Sequence, residues 1–243
     1  MNLPSEYTWD YQVCTYDVGP GSLLKLSNLL RLQQEAGERH LGQADMAFAQ
    51  LAKMGMAFLV ARANLQIERL PKVGEQIRVR TWHRGEHGAA FFRCFQILGA
   101  QGEELVNSVT AYALVDPETK RLLRPKVFLQ LGIQSQEDKV SSCPDPERLK
   151  LPVQMESAGH WAVRPSDTDW NNHLNNAAYL DILSDFLPQG VGIERLGLVS
   201  VCFLSQALVG DNIEVLRMQS GNTLYFRGVH ERGVCFEASA EVK

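Results

Sequence analysis

The feature that most constrains the fold is an internal duplication. Residues 74–79, Gly-Glu-Gln-Ile-Arg-Val, are echoed 136 positions later by residues 210–215, Gly-Asp-Asn-Ile-Glu-Val. Phe92-Arg93 is echoed by Phe226-Arg227 at an offset of 134, so the order and spacing of both segments are kept. Two matches in the same order predict two tandem copies of one structural unit.

Each copy has the pattern of one main helix followed by antiparallel strands. In the first copy, Leu23, Leu26 and Leu30 have near-helical spacing, Ser22 is predicted to cap that helix, and a second helical piece is predicted over 43–53. The second copy has a predicted helix over 175–187, with Tyr179, Ile182, Leu183 and Phe186 on one face. Strands are predicted at 55–69, 75–84, 89–99 and 104–115, and again at 196–208, 211–219, 223–230 and 233–242. We therefore predict an α+β double hotdog, in which a helix lies on a curved antiparallel sheet twice and the two sheets join edge to edge.

Composition limits what the chain can do. Its 243 residues carry a net charge of −4, which disfavours general nucleic-acid binding. The five cysteines are scattered, and no histidine pair has metal-ligand spacing, so we expect reduced thiols, no metal and no cofactor. No apolar run is long enough to span a membrane and the start lacks a signal-peptide pattern, which predicts a cytoplasmic protein. His40 is expected at a helix end, where a cation suits the dipole.

The segment that carries chemistry is Asp167-Thr-Asp-Trp-Asn-Asn-His-Leu-Asn-Asn176, just before the second predicted helix. Asp169, Asn171 and His173 are spaced by two, so in an extended chain their side chains would point the same way. A carboxylate can act as a base or nucleophile, an amide can orient substrate or water, and an imidazole can relay a proton. Unpaired N–H groups at the helix start would stabilise an oxyanion. The competing interpretation is a set of ordinary turn and cap residues.

This segment resembles the motif of the acyl-acyl carrier protein thioesterases of plants and bacteria, Asp-x-Asp-x-Asn-x-His-x-Asn-Asn, at every fixed position. The resemblance extends to Gly74-Glu75 after an Arg-Leu-Pro turn, to Thr81-Trp82 and to the turn at 116–121. It implies that the chain hydrolyses fatty acyl thioesters of acyl carrier protein and releases free fatty acid in fatty acid biosynthesis. It also implies Asp169, Asn171 and His173 as the catalytic group, with the first unit housing the acyl chain.

One position departs from the family pattern. Family members commonly carry Glu on the strand after the second helix, where this chain has Gln206. An amide cannot be a base, although it can hold water or the thioester carbonyl by hydrogen bonds, and Asp169 is then left as the base or nucleophile. The first unit has no Asp, Asn and His at matching spacing, which predicts one site per chain.

The predicted organisation is an acyl-binding unit at 1–130, a polar, proline-punctuated linker at 131–155 and a catalytic unit at 156–243. Residues 1–150 have a charge balance of +1 and residues 151–243 a balance of −5. A solvated sheet face explains the basic residues of the first unit, and the alternative is a docking patch for an acidic partner such as acyl carrier protein. That list is Arg62, Arg69, Lys72, Arg78, Arg80 and Arg84.

Several alternatives remain open at this point. An acyl-CoA thioesterase would use the same site, and a non-enzymatic acyl sensor would be expected to carry a DNA-binding segment, for which there are no spare residues. A hotdog dehydratase would need its own His and acid pair, and no His-Phe-Pro type segment is present. Acyl chain length and a possible homodimer are not settled by the sequence.

Overall fold

The computed structural model describes residues 3–243, which form ten strands and four α-helices. The strands are β1 Tyr7–Gln12, β2 Ala57–Ile67, β3 Gln76–His87, β4 Ala90–Leu98, β5 Glu104–Val115, β6 Glu156–Ala162, β7 Leu196–Phe203, β8 Asn212–Ser220, β9 Thr223–His230 and β10 Gly233–Val242. The helices are α1 Leu26–Gly42, α2 Phe48–Lys53, α3 Lys126–Leu129 and α4 Ala178–Asp185. Every strand predicted from the sequence is present, and β1 and β6 complete the two units.

All ten strands belong to one antiparallel sheet in the order β1-β3-β4-β5-β2-β7-β10-β9-β8-β6. The second half of this order repeats the first half in reverse, so the two units are related by a pseudo-twofold axis. The axis passes through the pair Asn64 and Ser200, because Ala63 pairs with Val201 and Leu65 pairs with Val199. The double hotdog and its edge-to-edge joining are thereby confirmed.

The main helices α1 and α4 lie on the same face of the sheet and contact each other. The predicted α4 face is confirmed, since Tyr179, Ile182 and Leu183 are buried in the principal core cluster and Phe186 packs at its edge. Ser22 does not cap α1: it has a positive φ of 59°, and Lys25 precedes the helix without a side-chain cap. Packing of the apolar stripe therefore determines where α1 begins.

The opposite face of the first unit is covered by the predicted linker. Trp82 and Cys94 form a buried cluster with Cys143 on that face. The Trp82 indole donates to the carbonyl of Lys139, and the Asn64 amide donates to the carbonyl of Pro144. This part of the segment is bound to the sheet and is not a free tether.

Strand register shows which sequence matches are structurally equivalent. In the first unit Thr81 pairs with Phe95, and in the second unit its counterpart Arg217 pairs with Phe226. The first pair is 14 positions apart and the second is 9, so the β3–β4 hairpin is five residues longer than β8–β9. Phe226 is thus the counterpart of Phe95, and the sequence match between Phe92-Arg93 and Phe226-Arg227 is coincidental. Gly74 and Gly210 are structurally equivalent. The N–H of Gly74 donates to the carbonyl of Val13, directly after β1, and the N–H of Gly210 donates to the carbonyl of Val163, directly after β6.

Loss of packing at the joint should destabilise both units. Leu65 is fully buried beside the axis, and we expect Leu65→Ala to lower the free energy of unfolding by about 2–5 kcal/mol through lost contacts and a cavity. Leu122→Ala, at a side chain 66% exposed, is the matched control and should change it by no more than about 0.5 kcal/mol. Urea unfolding measures both; similar values for the two variants would contradict the role given to the joint.

Candidate active site

The segment before α4 is held by a network that the first unit repeats. The Asp167 carboxylate accepts the N–H of Arg164, and its carbonyl accepts the N–H of Asn175. In the first unit the Asp17 carboxylate accepts the N–H of Cys14, and its carbonyl accepts the N–H of Lys25. Asp17 and Asp167 therefore have the same structural task, which is to fix the loop.

The two copies of this loop share their backbone hydrogen bonds but differ in their side chains. The N–H of Asp169 donates to the carbonyl of His173, and the N–H of Gly19 donates to the carbonyl of Leu23 in the same way. Gly19, Gly21 and Leu23 occupy the positions of Asp169, Asn171 and His173. The first unit keeps the loop and lacks the carboxylate, the amide and the imidazole.

Residues 169–173 form a tight turn, which corrects the expectation of an extended stretch. Asn172 has a positive φ of 59°, as does its counterpart Ser22. One Asp169 oxygen, Oδ1, accepts the N–H of Asn171 at 2.8 Å and the N–H of His173 at 3.3 Å. These bonds fix the carboxylate, and its Oδ2 has no hydrogen-bond donor among residues 3–243.

The loop brings amide groups together with this carboxylate. Asp169 and Asn171 lie on the wall of one cavity, together with Asn175 and Asn176. The side chain of Asn175 accepts the N–H of Ala177, and within the described chain the N–H of Asn176 has no acceptor. Asn175 and Asn176 were matched as part of the motif, but sequence reasoning gave neither of them a role.

His173, at the end of this turn, and Gln206, on a neighbouring segment, are not on the cavity wall. His173 is half-buried, and its backbone pairs with Leu208, while the N–H of Leu174 donates to the carbonyl of Ala207. Gln206 therefore lies in the segment next to the loop, after the end of β7 at Phe203 and not on the strand predicted over 196–208. Its side chain is exposed, and its carbonyl accepts a hydrogen bond from Nε2 of His230.

The cavity has a volume of about 640 Å³, and its wall comes mainly from the first unit. Phe58, Phe91 and Phe128 form its apolar part, with ring centroids 4.9–5.5 Å apart. Phe91 is on the extra length of the β3–β4 hairpin, and Phe58 is on the part of β2 that has no counterpart in β7. The longer strands of the first unit thus supply part of the aromatic wall of the slot.

The two units meet around the candidate site. The Trp170 ring of the loop lies 4.6 Å from the Phe48 ring of α2, and both residues line the cavity. Arg31 of α1 forms an ion pair with Asp181 of α4 at 3.3 Å. Trp170 nevertheless remains 72% exposed, which places it at the opening of the slot.

The cavity also has a polar corner, which the sequence analysis did not predict. Arg93 and His83 are buried and directly opposite each other on β4 and β3, and Tyr112 is on the same part of the wall. Burial lowers the pKa of His83 to about 3, and the charge of Arg93 contributes to this shift. Burial also raises the pKa of Tyr112 to about 12.

His40 is neutral, which corrects the expectation of a cation at the helix end. Burial, followed by the charge of Arg93, lowers the pKa of His40 to about 4. The Arg93 guanidinium can only donate, so Nδ1 of His40 is the acceptor at 2.8 Å and Nε2–H donates to the carbonyl of Pro4 at 2.8 Å. His40 is a packed hydrogen-bonding residue.

The basic residues of the first unit are largely engaged in ion pairs. Arg78 pairs with Asp10, Arg80 with Glu6 and Arg84 with Asp145. Arg69 pairs with Glu75 and Glu103, and Arg62 donates to the carbonyl of Pro146. Of the six predicted members only Lys72 forms neither an ion pair nor a side-chain bond within residues 3–243, so these residues do not make a patch of free positive charge.

Comparison with known proteins decides the family. The family model for the acyl-ACP thioesterase N-terminal domain matches residues 4–126, and the model for the acyl-ACP thioesterase C-terminal domain matches residues 152–231. The chain belongs to the acyl-ACP thioesterase family. Among the described residues, no helix is long and apolar enough to cross a membrane, and no group of three or more His, Cys, Asp or Glu side chains is arranged to hold a metal ion.

Curated members of this family are distant in sequence. The oleoyl-acyl carrier protein thioesterase 1 of Arabidopsis thaliana is 23% identical over 208 residues, covering 76% of this chain and 56% of the relative. A dodecanoyl-[acyl-carrier-protein] hydrolase of Umbellularia californica is 24% identical over 195 residues, covering 74% of this chain and 50% of the relative. This chain thus matches only about half the length of these curated thioesterases.

Solved acyl-ACP thioesterases share the fold over nearly the whole chain. An acyl-ACP thioesterase from Bacteroides thetaiotaomicron has a TM-score of 0.87 at 16% identity, covering 98% of each chain. A 12:0-ACP thioesterase from Umbellularia californica has a TM-score of 0.77 at 18% identity, covering 98% of this chain and 97% of that one.

The two buried imidazoles predict an acid-sensitive fold. The folded protein keeps His40 and His83 neutral, whereas the unfolded chain binds protons at the ordinary pKa of 6.5. As the pH falls from about 6.5 to about 4, the unfolded state takes up more protons, and the free energy of unfolding decreases, for His40 on the order of 3 kcal/mol.

Urea unfolding at a series of pH values measures this decrease. His83→Gln removes one of the two groups, so its free energy of unfolding should fall less steeply over the same pH interval than that of the wild type. An equal slope in the two proteins would contradict the assignment.

Proposed function

We propose that this chain hydrolyses fatty acyl thioesters of acyl carrier protein and releases the free fatty acid. The observation that carries this proposal is the position of a fixed carboxylate, Asp169, on the wall of an apolar slot. A slot walled by Phe58, Phe91 and Phe128 suits an alkyl chain, and the family membership supports a thioester as the reacting group.

Asp169 is assigned as the general base. With Oδ1 held by two N–H groups, Oδ2 is free to take a proton from a water molecule while the water oxygen bonds to the thioester carbonyl carbon. The carbonyl oxygen becomes an oxyanion. The carbon–sulfur bond then breaks, the carrier's sulfur takes the proton, and the products are a fatty acid and a thiol.

Amide groups of the loop are assigned to the oxyanion and the water. Asn171 and Asn176 line the same wall as Asp169, and the backbone N–H of Asn176 has no acceptor among the described residues, so these residues are assigned as donors to the developing negative charge. His173 is assigned the proton relay to the leaving sulfur, and Gln206 is assigned a hydrogen bond to water. These two roles rest on the family motif and on the pairing of their backbone segments.

Asp169→Asn should remove turnover without unfolding the protein. Loss of the base is expected to lower kcat by a factor of about 10²–10⁴, while the melting temperature stays close to that of the wild type. The measurement is release of carrier thiol from an acyl-acyl carrier protein.

Asp167→Asn is the matched control in the same loop. Asp167 has the structural role that Asp17 has in the first unit, and an amide oxygen can still accept the N–H of Arg164. We expect this variant to keep most of the turnover. A loss as large as that of Asp169→Asn would overturn the division of roles within the motif.

Family membership favours acyl carrier protein over CoA as the carrier of the acyl chain. The basic residues of the first unit add no support to this choice, because most of them are ion-paired. We expect kcat/KM for one acyl chain to be at least about ten-fold higher on the carrier protein than on CoA, since protein contacts add binding to the same chemistry. Equal values on the two carriers would favour an acyl-CoA thioesterase.

A further inference from the structure

The polar corner of the cavity contains a positive charge without a negative partner. Arg93 is only 8% exposed, and no carboxylate oxygen of residues 3–243 lies within 4.0 Å of its guanidinium. The two glutamates on the cavity wall are otherwise engaged, Glu35 with Arg39 and Glu38 with the N–H of Phe48. A buried charge of this kind is unfavourable unless something else compensates it.

Within residues 3–243, the protein uses only one of the three guanidinium nitrogens of Arg93. Nη1 donates to Nδ1 of His40 at 2.8 Å and to the hydroxyl of Thr81 at 3.3 Å. Nε and Nη2 have no acceptor among the described residues, and neither atom is fully buried, in a residue that lines the cavity. These two nitrogens form the side of the planar group that binds a carboxylate or a single oxygen acceptor most effectively.

A second polar group beside Arg93 is also left without a partner. The His83 ring lies 5.9 Å from the Phe91 ring at the apolar part of the wall, and its Nε2 is buried with no hydrogen-bond partner in residues 3–243. Tyr112, two positions after the cross-strand partner of Arg93, adds a hydroxyl to the same wall. Three polar side chains therefore meet on the cavity wall next to its aromatic part.

The second unit shows that the fold does not require this charge. Register places Leu224, Gln219 and Val242 at the positions of Arg93, His83 and Tyr112. Leu224 is completely buried in the principal apolar core cluster. Leucine thus satisfies the packing at this position in the second unit, where α4 ends at Asp185 and offers no counterpart of His40. In the first unit Arg93 bonds to His40 through one nitrogen only, which leaves the rest of the guanidinium for an occupant of the cavity.

We infer that the acyl chain taken by this site bears an oxygen function, a hydroxyl, oxo or carboxyl group, which accepts hydrogen bonds from Nε and Nη2 of Arg93. This inference rests on the proposed function, since it specifies the acyl chain of that reaction. An unsubstituted alkyl chain would leave the charge of Arg93 and Nε2 of His83 without partners.

The test uses acyl carrier protein thioesters of one chain length. One acyl chain is unsubstituted, one has a terminal carboxyl group, and two series carry a hydroxyl or an oxo group at successive positions along the chain. For the wild type, kcat/KM for the best oxygenated chain should exceed that for the plain chain by about ten-fold or more, as expected for hydrogen bonds to a charged group. The arm with the highest ratio identifies the oxygen function.

Variants assign the preference to Arg93. Arg93→Leu introduces the residue that the second unit has at this position, and it should lower the ratio of kcat/KM for the oxygenated chain to that for the plain chain to about one. Arg93→Lys keeps the charge but lacks the planar pair of donors, so its ratio should be intermediate. Arg62→Leu, outside the cavity, is the matched control and should keep the wild-type ratio. Circular dichroism establishes folding, and if Arg93→Leu is unfolded, Arg93→Lys and His83→Gln decide through the same ratio.

A wild-type ratio of one or less, or a preference unchanged in the variants, would overturn the inference and leave the hydrolase intact. If no thioester is hydrolysed, the proposed function fails instead. Calorimetric binding of plain and oxygenated fatty acids to Asp169→Asn then tests the inference separately. Tighter binding of the oxygenated acid that disappears with Arg93→Leu supports it, and equal binding contradicts it.

Discussion

The antiparallel pairing of β2 with β7 determines the rest of this structure. It joins two five-stranded halves into one sheet, so each unit protects an edge that the other would leave open. It also fixes the two helices on one face, with the loop before α4 beside the C-terminal half of α1. The cavity wall of the first unit and the polar loop of the second meet only because this joint sets their relative position.

The two copies share a loop scaffold and differ in what they add to it. The loops at 17–25 and 167–175 share the same backbone bonds and the same left-handed residue, so the scaffold is equal in both copies. Asp169, Asn171 and His173 distinguish the second loop, and five additional hairpin residues distinguish the first sheet. The aromatic wall of the cavity comes from the first unit and Asp169 comes from the second, so the candidate site needs both.

The sequence was sufficient for the fold because strands, turns and the α4 face each have a local signal. The Asp169 loop was also predicted from a local signal, the motif of residues 167–176. Its tight turn was not predicted, because the positive φ of Asn172 cannot be inferred from the spacing of the motif residues. Phe92-Arg93 shows the limit: the two residues matched a second-unit pair in sequence, but register depends on hairpin length, which matching dipeptides do not encode. The ion pairs of the six basic residues were not predicted either, because pairs such as Arg84 with Asp145 join positions 61 residues apart.

Arg93 could not be recognised from its neighbours in the sequence, because its meaning depends on what is absent around it. An arginine on a strand is most often exposed or paired, as Arg227 is with Glu237 in the second unit. Only the structure shows that Arg93 points under α1, that its bonds to His40 and Thr81 use one nitrogen, and that the equivalent position in the second unit holds leucine. The first unit thus has a buried guanidinium with two of its three nitrogens unpaired within the described chain where the second unit has leucine, and an oxygen-bearing chain in the slot supplies the missing acceptors.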